Sequence, residues 1–162
     1  MTLEGWSEFF VATAGASAAL AGLIIVAMSV NVELMITIAG MTSRAASAIA
    51  LLVLGTVVSL VGLIPHQPAV AVGVEIGILG MGGLGFAIDS MVKVFRARAG
   101  RPLYEALTKT LVLVIPALAV VVAGVLVAIG IEAGTYVLAF GVIAGMVAAV
   151  INAWVVLVEI RR

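Results

Sequence analysis

The sequence predicts an all-α, polytopic membrane protein with five transmembrane helices, and three observations lead to this fold class. Hydrophobic residues occupy 65% of the 162 positions, charged residues occupy 10%, and the mean hydropathy is +1.39. Soluble domains carry about one quarter charged residues, so this composition excludes a soluble fold. The apolar residues fall in five runs, and each run is long enough to cross a hydrocarbon core about 30 Å thick.

The first two predicted helices cover about residues 7–32 and 45–64. The run from Phe9 to Val32 contains no charged residue, so we expect one continuous span there. The second run follows Arg44, which we place in the connection between the two helices. It ends at residues 65–68, where two prolines remove amide donors and favour a turn.

The other three predicted helices cover about residues 69–95, 103–131 and 133–158. Pro102 suits the first turn of helix four, because its missing amide hydrogen is not needed there. Pro116 is expected to kink helix four by freeing a main-chain carbonyl group one turn earlier. All 162 residues therefore form a single transmembrane domain.

Orientation follows from the distribution of the eight Lys and Arg residues, all of which fall on one side of a five-span arrangement. Arg44 precedes helix two, a basic group surrounds the connection between helices three and four, and Arg161 and Arg162 follow helix five. Cytoplasmic loops carry the excess of basic residues. We therefore expect the N-terminus outside and the C-terminus in the cytoplasm.

Several function classes lack their usual residues in this chain. It has one histidine and no cysteine, and it contains no HExxH, P-loop or GxSxG motif. We therefore expect no enzyme activity, no catalytic residue, no metal site and no cofactor. The formal net charge is zero, and no basic patch indicates a nucleic-acid partner.

Two acidic residues in helix three are the candidates for an ion path. Glu75 lies about 10 Å into this helix, where a carboxylate costs a few kcal/mol unless it is paired, hydrated or protonated. Asp89 falls within about 40° of the same helical face. The stripe that joins them, with a small or apolar middle, fits a cation or proton path with a hydrophobic constriction. Its members are Glu75, Leu79, Gly82, Phe86 and Asp89.

An alternative interpretation of the two acids is structural. Glu75 would then be protonated or hydrogen-bonded to a neighbouring helix, and Asp89 would reach the inner interface beside Lys93, its i+4 partner. Asn31 and Asn152, near the cytoplasmic ends of helices one and five, are candidates for ion contact or for hydrogen bonds between helices.

A basic cluster follows helix three and is the candidate for contact with anionic lipid headgroups on the inner leaflet. It comprises Lys93, Arg96, Arg98 and Arg101. The alternative is that these residues act only as a determinant of topology.

Small residues recur at helical spacing in three of the predicted helices, where they allow close approach between helix backbones. They are Gly141, Gly145, Ala149 and Ala153 in helix five, Gly73 and Gly77 in helix three, and Gly15, Ala18, Ala19 and Gly22 in helix one. A chain of this size has little interior to house a permeation path, and small-subunit pores assemble symmetrically. We therefore expect a homo-oligomer.

Helix one carries the pattern FFxxxAGAxxALxGL, and the chain resembles a group of uncharacterised small bacterial integral membrane proteins, often actinobacterial. The residues that carry the resemblance are Phe9, Phe10, Ala14, Gly15, Ala16, Ala19, Leu20, Gly22, Leu23, Val26, Ser29 and Asn31, with the Leu-Ile-Pro segment at 63–65. The resemblance implies a multi-pass protein of the bacterial cytoplasmic (inner) membrane. It supplies no activity and therefore no site residue.

The sequence leaves three functional hypotheses. The first is a homo-oligomeric channel or pore for cations or protons, lined by Glu75 and Asp89. The second is an accessory or scaffold subunit of a larger membrane complex, whose small-residue strips bind partner helices. The third is a small transporter, although the chain has no inverted repeat or matched pair of broken segments. In each case the lipid bilayer is the immediate partner.

Overall fold

The computed structural model describes residues 4–38, 41–96 and 103–159, and all regular structure in these ranges is helical. A short 3-10 turn at Glu4–Trp6 precedes six α-helices. They are α1 (Ser7–Ser29), α2 (Val32–Thr37), α3 (Met41–Gly62), α4 (Ala69–Arg96), α5 (Leu103–Ala128) and α6 (Ala133–Glu159). In the described part of the chain, five helices, all but α2, are long and apolar enough to cross a membrane. The predicted all-α class with five candidate spans is confirmed.

The first predicted helix is interrupted, so the expectation of one helix over residues 7–32 is wrong at its C-terminal end. The main-chain amide of Asn31 bonds to the carbonyl oxygen of Met28 at 3.1 Å. The Asn31 side-chain Nδ2 instead donates to the carbonyl oxygen of Ala27 at 2.9 Å. In a continuous helix this oxygen would accept the main-chain amide hydrogen of Asn31. This competition ends α1 at Ser29, and the chain restarts as the short helix α2.

Two other predicted boundaries are also corrected. Helix α3 begins at Met41, so Arg44 lies in its first turn and not in the preceding connection. Its guanidinium group is bonded inside the bundle, so the charge does not require a loop position. Helix α5 ends at Ala128 because Gly130 adopts a positive φ of 80°, and Ile131 then donates its amide hydrogen to Leu126.

Helix α3 occupies the centre of the bundle and contacts α1, α4, α5 and α6. Helix α4 also packs on α5, α5 on α6, and α6 on α1. We call the two ends of the bundle the Glu75 end and the Arg44 end. The core consists of two apolar clusters, and the second gathers Met28, Met35 and Met41 at the Arg44 end, with Ala149 and Val156 of α6.

Glycines set the closest approach between two helices. A Cβ atom on Gly124 of α5 would lie 2.5 Å from the amide nitrogen of Gly77 and 2.8 Å from the carbonyl oxygen of Gly73, both in α4. The two backbones are therefore in direct contact at this crossing, and a side chain on Gly124 or Gly73 would separate them. Gly141 of α6 packs on α5 in a similar way, since its Cβ would lie 3.3 Å from the carbonyl oxygen of Pro116.

Candidate functional site: polar groups within the apolar helices

Glu75 is partly buried in α4, near the start of the helix. Gln67, in the turn between α3 and α4, donates its side-chain Nε2 to both carboxylate oxygens at 3.1 and 3.2 Å. The described partner of Glu75 is thus a neutral amide from the adjacent turn, and not a group on a neighbouring helix. Gln67 also has a buried Oε1 atom with no hydrogen-bond donor among the described residues.

Asp89 lies nearer the other end of α4, and its side chain is 53% exposed. Lys93 forms an ion pair with its Oδ2 atom at 2.7 Å, and the hydroxyl of Ser43 in α3 donates to the same oxygen at 3.1 Å. This ion pair is the contact expected if Asp89 has a structural role and does not line an ion path. The carboxylate is balanced by a cation four residues along its own helix and also joins α4 to α3.

The stripe between the two acids faces the outside of the bundle. Leu79, Gly82 and Phe86 line a lateral groove between α3 and α4 with a volume of about 530 Å³. The other lining residues are Ala46, Ile49, Ala50, Val53, Leu54 and Val57 of α3 with Ile78 and Gly83 of α4. The groove carries no polar side chain. A path along this stripe would therefore need a second chain to enclose it.

Arg44 and Asn152 form a reciprocal pair at the other face of α3, and sequence reasoning did not place them together. The Arg44 guanidinium donates from Nη2 to Asn152 Oδ1 at 3.1 Å, and Asn152 Nδ2 donates to the Arg44 main-chain oxygen at 2.8 Å. Only 7% of Arg44 and 5% of Asn152 is exposed. The pair joins α3 to α6 inside the bundle.

A second polar contact joins α1 to α3. The hydroxyl oxygens of Thr13 and Ser59 lie 2.8 Å apart, and Ser59 donates to the carbonyl oxygen of Gly55 at 2.7 Å. Ser17 lies beside Gly55 and is fully buried, but its hydroxyl has no partner among the described residues. None of these residues is recognisable in the sequence as a helix contact, because isolated Ser and Thr give no distinctive pattern in an apolar helix.

The remaining candidate residues lie apart from these contacts. The Asn31 side chain, between α1 and α2, bonds to the carbonyl oxygen of Ala27 in the preceding turn, and no bond to another part of the bundle is found for it among the described residues. Arg96 is exposed beyond Lys93 at the end of α4, whereas Arg98 and Arg101 lie outside the described residues. In residues 4–38, 41–96 and 103–159, no three acidic or histidine side chains are placed to hold a metal ion.

The predicted small-residue strips divide into packed and open sets. Gly73 packs against α5, Gly141 and Gly145 face Pro116, and Ala149 is fully buried in the second apolar cluster. Gly77 contacts Gly124 of α5 through its backbone, although a Cβ atom on Gly77 itself would meet nothing within 4 Å. The strip on α1 is open: a Cβ atom on Gly15 or Gly22 would meet nothing within 4 Å, and Ala18 and Ala19 are exposed. Helix α1 buries only one face, formed by Phe10, Thr13, Ser17, Ala21, Ile24 and Met28.

Comparisons with models of protein families, with curated protein sequences and with solved structures found no match.

Proposed function

We propose that this chain is an accessory or scaffold subunit of a larger membrane complex, and that it acts by presenting its lipid-facing helix surfaces to other membrane helices. This proposal rests on one observation: the polar groups inside the bundle form hydrogen bonds between helices. Arg44 with Asn152 and Thr13 with Ser59 bond across helix pairs. Such bonds hold helices together, whereas the polar groups of an ion path must remain available to the ion.

The packing of α1 supports the same proposal. One face of the helix is buried against α3 and α6, and the opposite face presents Gly15 and Gly22 with open space above both positions. In a bilayer, small residues favour helix association because they allow backbones to approach and make van der Waals contact. The α1 surface around Ala19 is therefore the expected contact for a partner helix.

The proposed setting is a bacterial cytoplasmic membrane, with the Arg44 end of the bundle in the cytoplasm. Its support is the placement of the basic residues: Arg44, Lys93 and Arg96 all lie toward the same end of the helices. Basic residues accumulate on the cytoplasmic side of membrane proteins.

Site-specific crosslinking in native membranes tests the scaffold proposal. A photoreactive phenylalanine analogue at Ala19 should give an adduct of defined mass, and Gly22→Leu in the same chain should abolish it by blocking close approach. The matched control is the analogue at Gly85, an exposed α4 position that also has open space around it. Equal crosslinking at both positions, or none at Ala19, would contradict the proposal.

A homo-oligomeric cation or proton pore is the second candidate, and the position of Glu75 favours it. This carboxylate is partly buried in a helix of membrane-spanning length, and its described partner, Gln67, is neutral. A carboxylate in such a position is a functional candidate by default. Because the stripe from Glu75 to Asp89 faces outward, the path would run between copies.

Flux measurements separate the two candidates. Purified protein in sealed liposomes is assayed for cation and proton flux, with Glu75→Gln as the variant and oligomeric mass measured on the same sample. Flux that changes in the variant while the oligomer stays intact would support the pore. Absence of flux from folded protein across pH, voltage and common cations would reject it and leave the scaffold proposal standing.

A further inference from the structure

We propose that the groove between α3 and α4 is a lipid site that holds one acyl chain of an anionic phospholipid, with the phosphate beside Lys93 and Arg96. The inference is independent of the proposed function, since either a scaffold or a pore subunit can carry a bound lipid. It rests on the lining, the dimensions and the charge at one end of the groove.

The lining selects a hydrocarbon occupant. Every residue along the groove is apolar, from Ala46 to Val57 on α3 and from Ile78 to Phe86 on α4. Water would find no hydrogen-bond partner among these side chains. In a bilayer the groove opens toward lipid tails, so a hydrocarbon chain fills it without desolvating a polar group.

The length of the groove suits one acyl chain. The lining residues of α3 rise about 16 Å from Ala46 to Val57 at 1.5 Å per residue. This is about half of a hydrocarbon core about 30 Å thick, which is the depth of one leaflet. One acyl chain of a phospholipid can therefore lie along the whole groove.

The end of the groove nearest Lys93 is suited to a phosphate. Just beyond Ala46 and Phe86, the Ser43 hydroxyl bonds to Asp89, which marks where the apolar lining ends. Lys93 and Arg96 follow on α4, and both are exposed. With Asp89 contributing one negative charge and these two residues one positive charge each, the local net charge is +1. Basic sites between helices at the membrane surface bind anionic headgroups.

Two glycines in α4 allow a matched test. Gly82 lines the groove and Gly85 does not, yet both are exposed and a Cβ at either would meet nothing within 4 Å. Gly82→Leu should fill the groove, and Gly85→Leu changes helix propensity and hydrophobicity equally without touching it. Ala50→Leu fills the groove from α3 and serves as a second variant should Gly82→Leu fold poorly.

The measurement is native mass spectrometry of protein exchanged into equal mixtures of phosphatidylglycerol and phosphatidylcholine. The wild type and Gly85→Leu should each retain one phosphatidylglycerol, and Gly82→Leu and Ala50→Leu should reduce its occupancy by about tenfold. Lys93→Gln and Arg96→Gln should lower the preference over phosphatidylcholine by about fivefold each, since one basic residue near anionic lipid contributes about 1 kcal/mol.

Three outcomes would overturn the inference. Equal lipid retention by Gly82→Leu and Gly85→Leu would place the bound lipid elsewhere. No preference for phosphatidylglycerol in the wild type would remove the role of Lys93 and Arg96. A loss of oligomeric mass in Gly82→Leu, with lipid retention unchanged, would show that a protein helix occupies the groove.

Discussion

Asn152 accepts a hydrogen bond from the guanidinium of Arg44 and donates another to the main-chain oxygen of the same residue, at 3.1 and 2.8 Å. The Asn152 side chain thus bonds to both the charged group and the main chain of Arg44, which lies 108 positions earlier in the chain. The main-chain bond orients the amide so that its oxygen faces the guanidinium. The pair therefore fixes the rotation of α3 relative to α6 as well as their separation.

Asn152→Leu should lower the free energy of unfolding by about 1–3 kcal/mol, because it removes a bond to a buried cation and leaves the Arg44 charge less satisfied. The measurement is equilibrium unfolding in mixed micelles of a mild and a denaturing detergent. Asn31→Leu is the control, because the described side-chain bond of Asn31 is local, to Ala27 four residues earlier. Equal destabilisation by the two substitutions would contradict a specific role for the Arg44 pair.

Gly124→Ala should destabilise the protein by about 1–3 kcal/mol, the usual range for overpacking a tight contact. The new methyl group would lie 2.5 Å from a backbone nitrogen of α4, so α4 and α5 must separate. Gly85→Ala is the control and should stabilise the helix by roughly 0.5–1 kcal/mol, since it replaces an open helical glycine. Thermal unfolding in detergent compares the stability of the two variants. If Gly124→Ala is more stable than the wild type, α4 and α5 are not in tight contact at this crossing.

Ser17→Ala should raise the free energy of unfolding by about 1 kcal/mol. Its hydroxyl is fully buried without a described partner, and an unsatisfied buried polar group costs about 1–3 kcal/mol. Ser59→Ala should have the opposite sign, because it breaks the bond to Thr13 across α1 and α3. A destabilised Ser17→Ala, measured by the same unfolding assay, would indicate that Ser17 is hydrogen-bonded in the membrane.

The proposed orientation predicts opposite labelling of two introduced cysteines. The chain has no native cysteine, so a single substitution gives one thiol. His66→Cys, in the exposed turn between α3 and α4, should react with a membrane-impermeant maleimide added to intact cells. Thr42→Cys, exposed at the other end of α3, should react only after the membrane is permeabilised. The reverse pattern would invert the orientation and place Glu75 toward the cytoplasm.

The sequence predicts the five apolar helices well because each is a local property of composition and length. The breaks inside an apolar run are less visible. Asn31 interrupts the first run through a side-chain bond to Ala27, and an asparagine in an apolar helix has several other possible partners. The presence of Ser29 and Asn31 in the sequence therefore does not show that the helical bond between the Asn31 amide and the Ala27 oxygen is lost.

The position of Arg44 could not be predicted from local sequence. A charge beside an apolar run indicates the membrane surface, whereas Arg44 bonds to Asn152 of α6, at the far end of the chain. The small-residue strips show a related limit. Their spacing indicates close packing, but a Cβ atom on Gly73 would meet the backbone of α5 whereas one on Gly22 would meet open space, and only the tertiary arrangement distinguishes the two.

The central position of α3 has a consequence for biogenesis. Helices enter the membrane in chain order, and α3 contacts α1, which precedes it. Each later helix then meets a neighbour that is already inserted: α4 meets α3, α5 meets α4, and α6 meets α5, α3 and α1. Each helix can therefore pack against an inserted neighbour as soon as it enters the membrane, so the bundle can assemble helix by helix during translation. The bond between Arg44 and Asn152 is the exception, since it forms only once α6, the last helix to arrive, is in place.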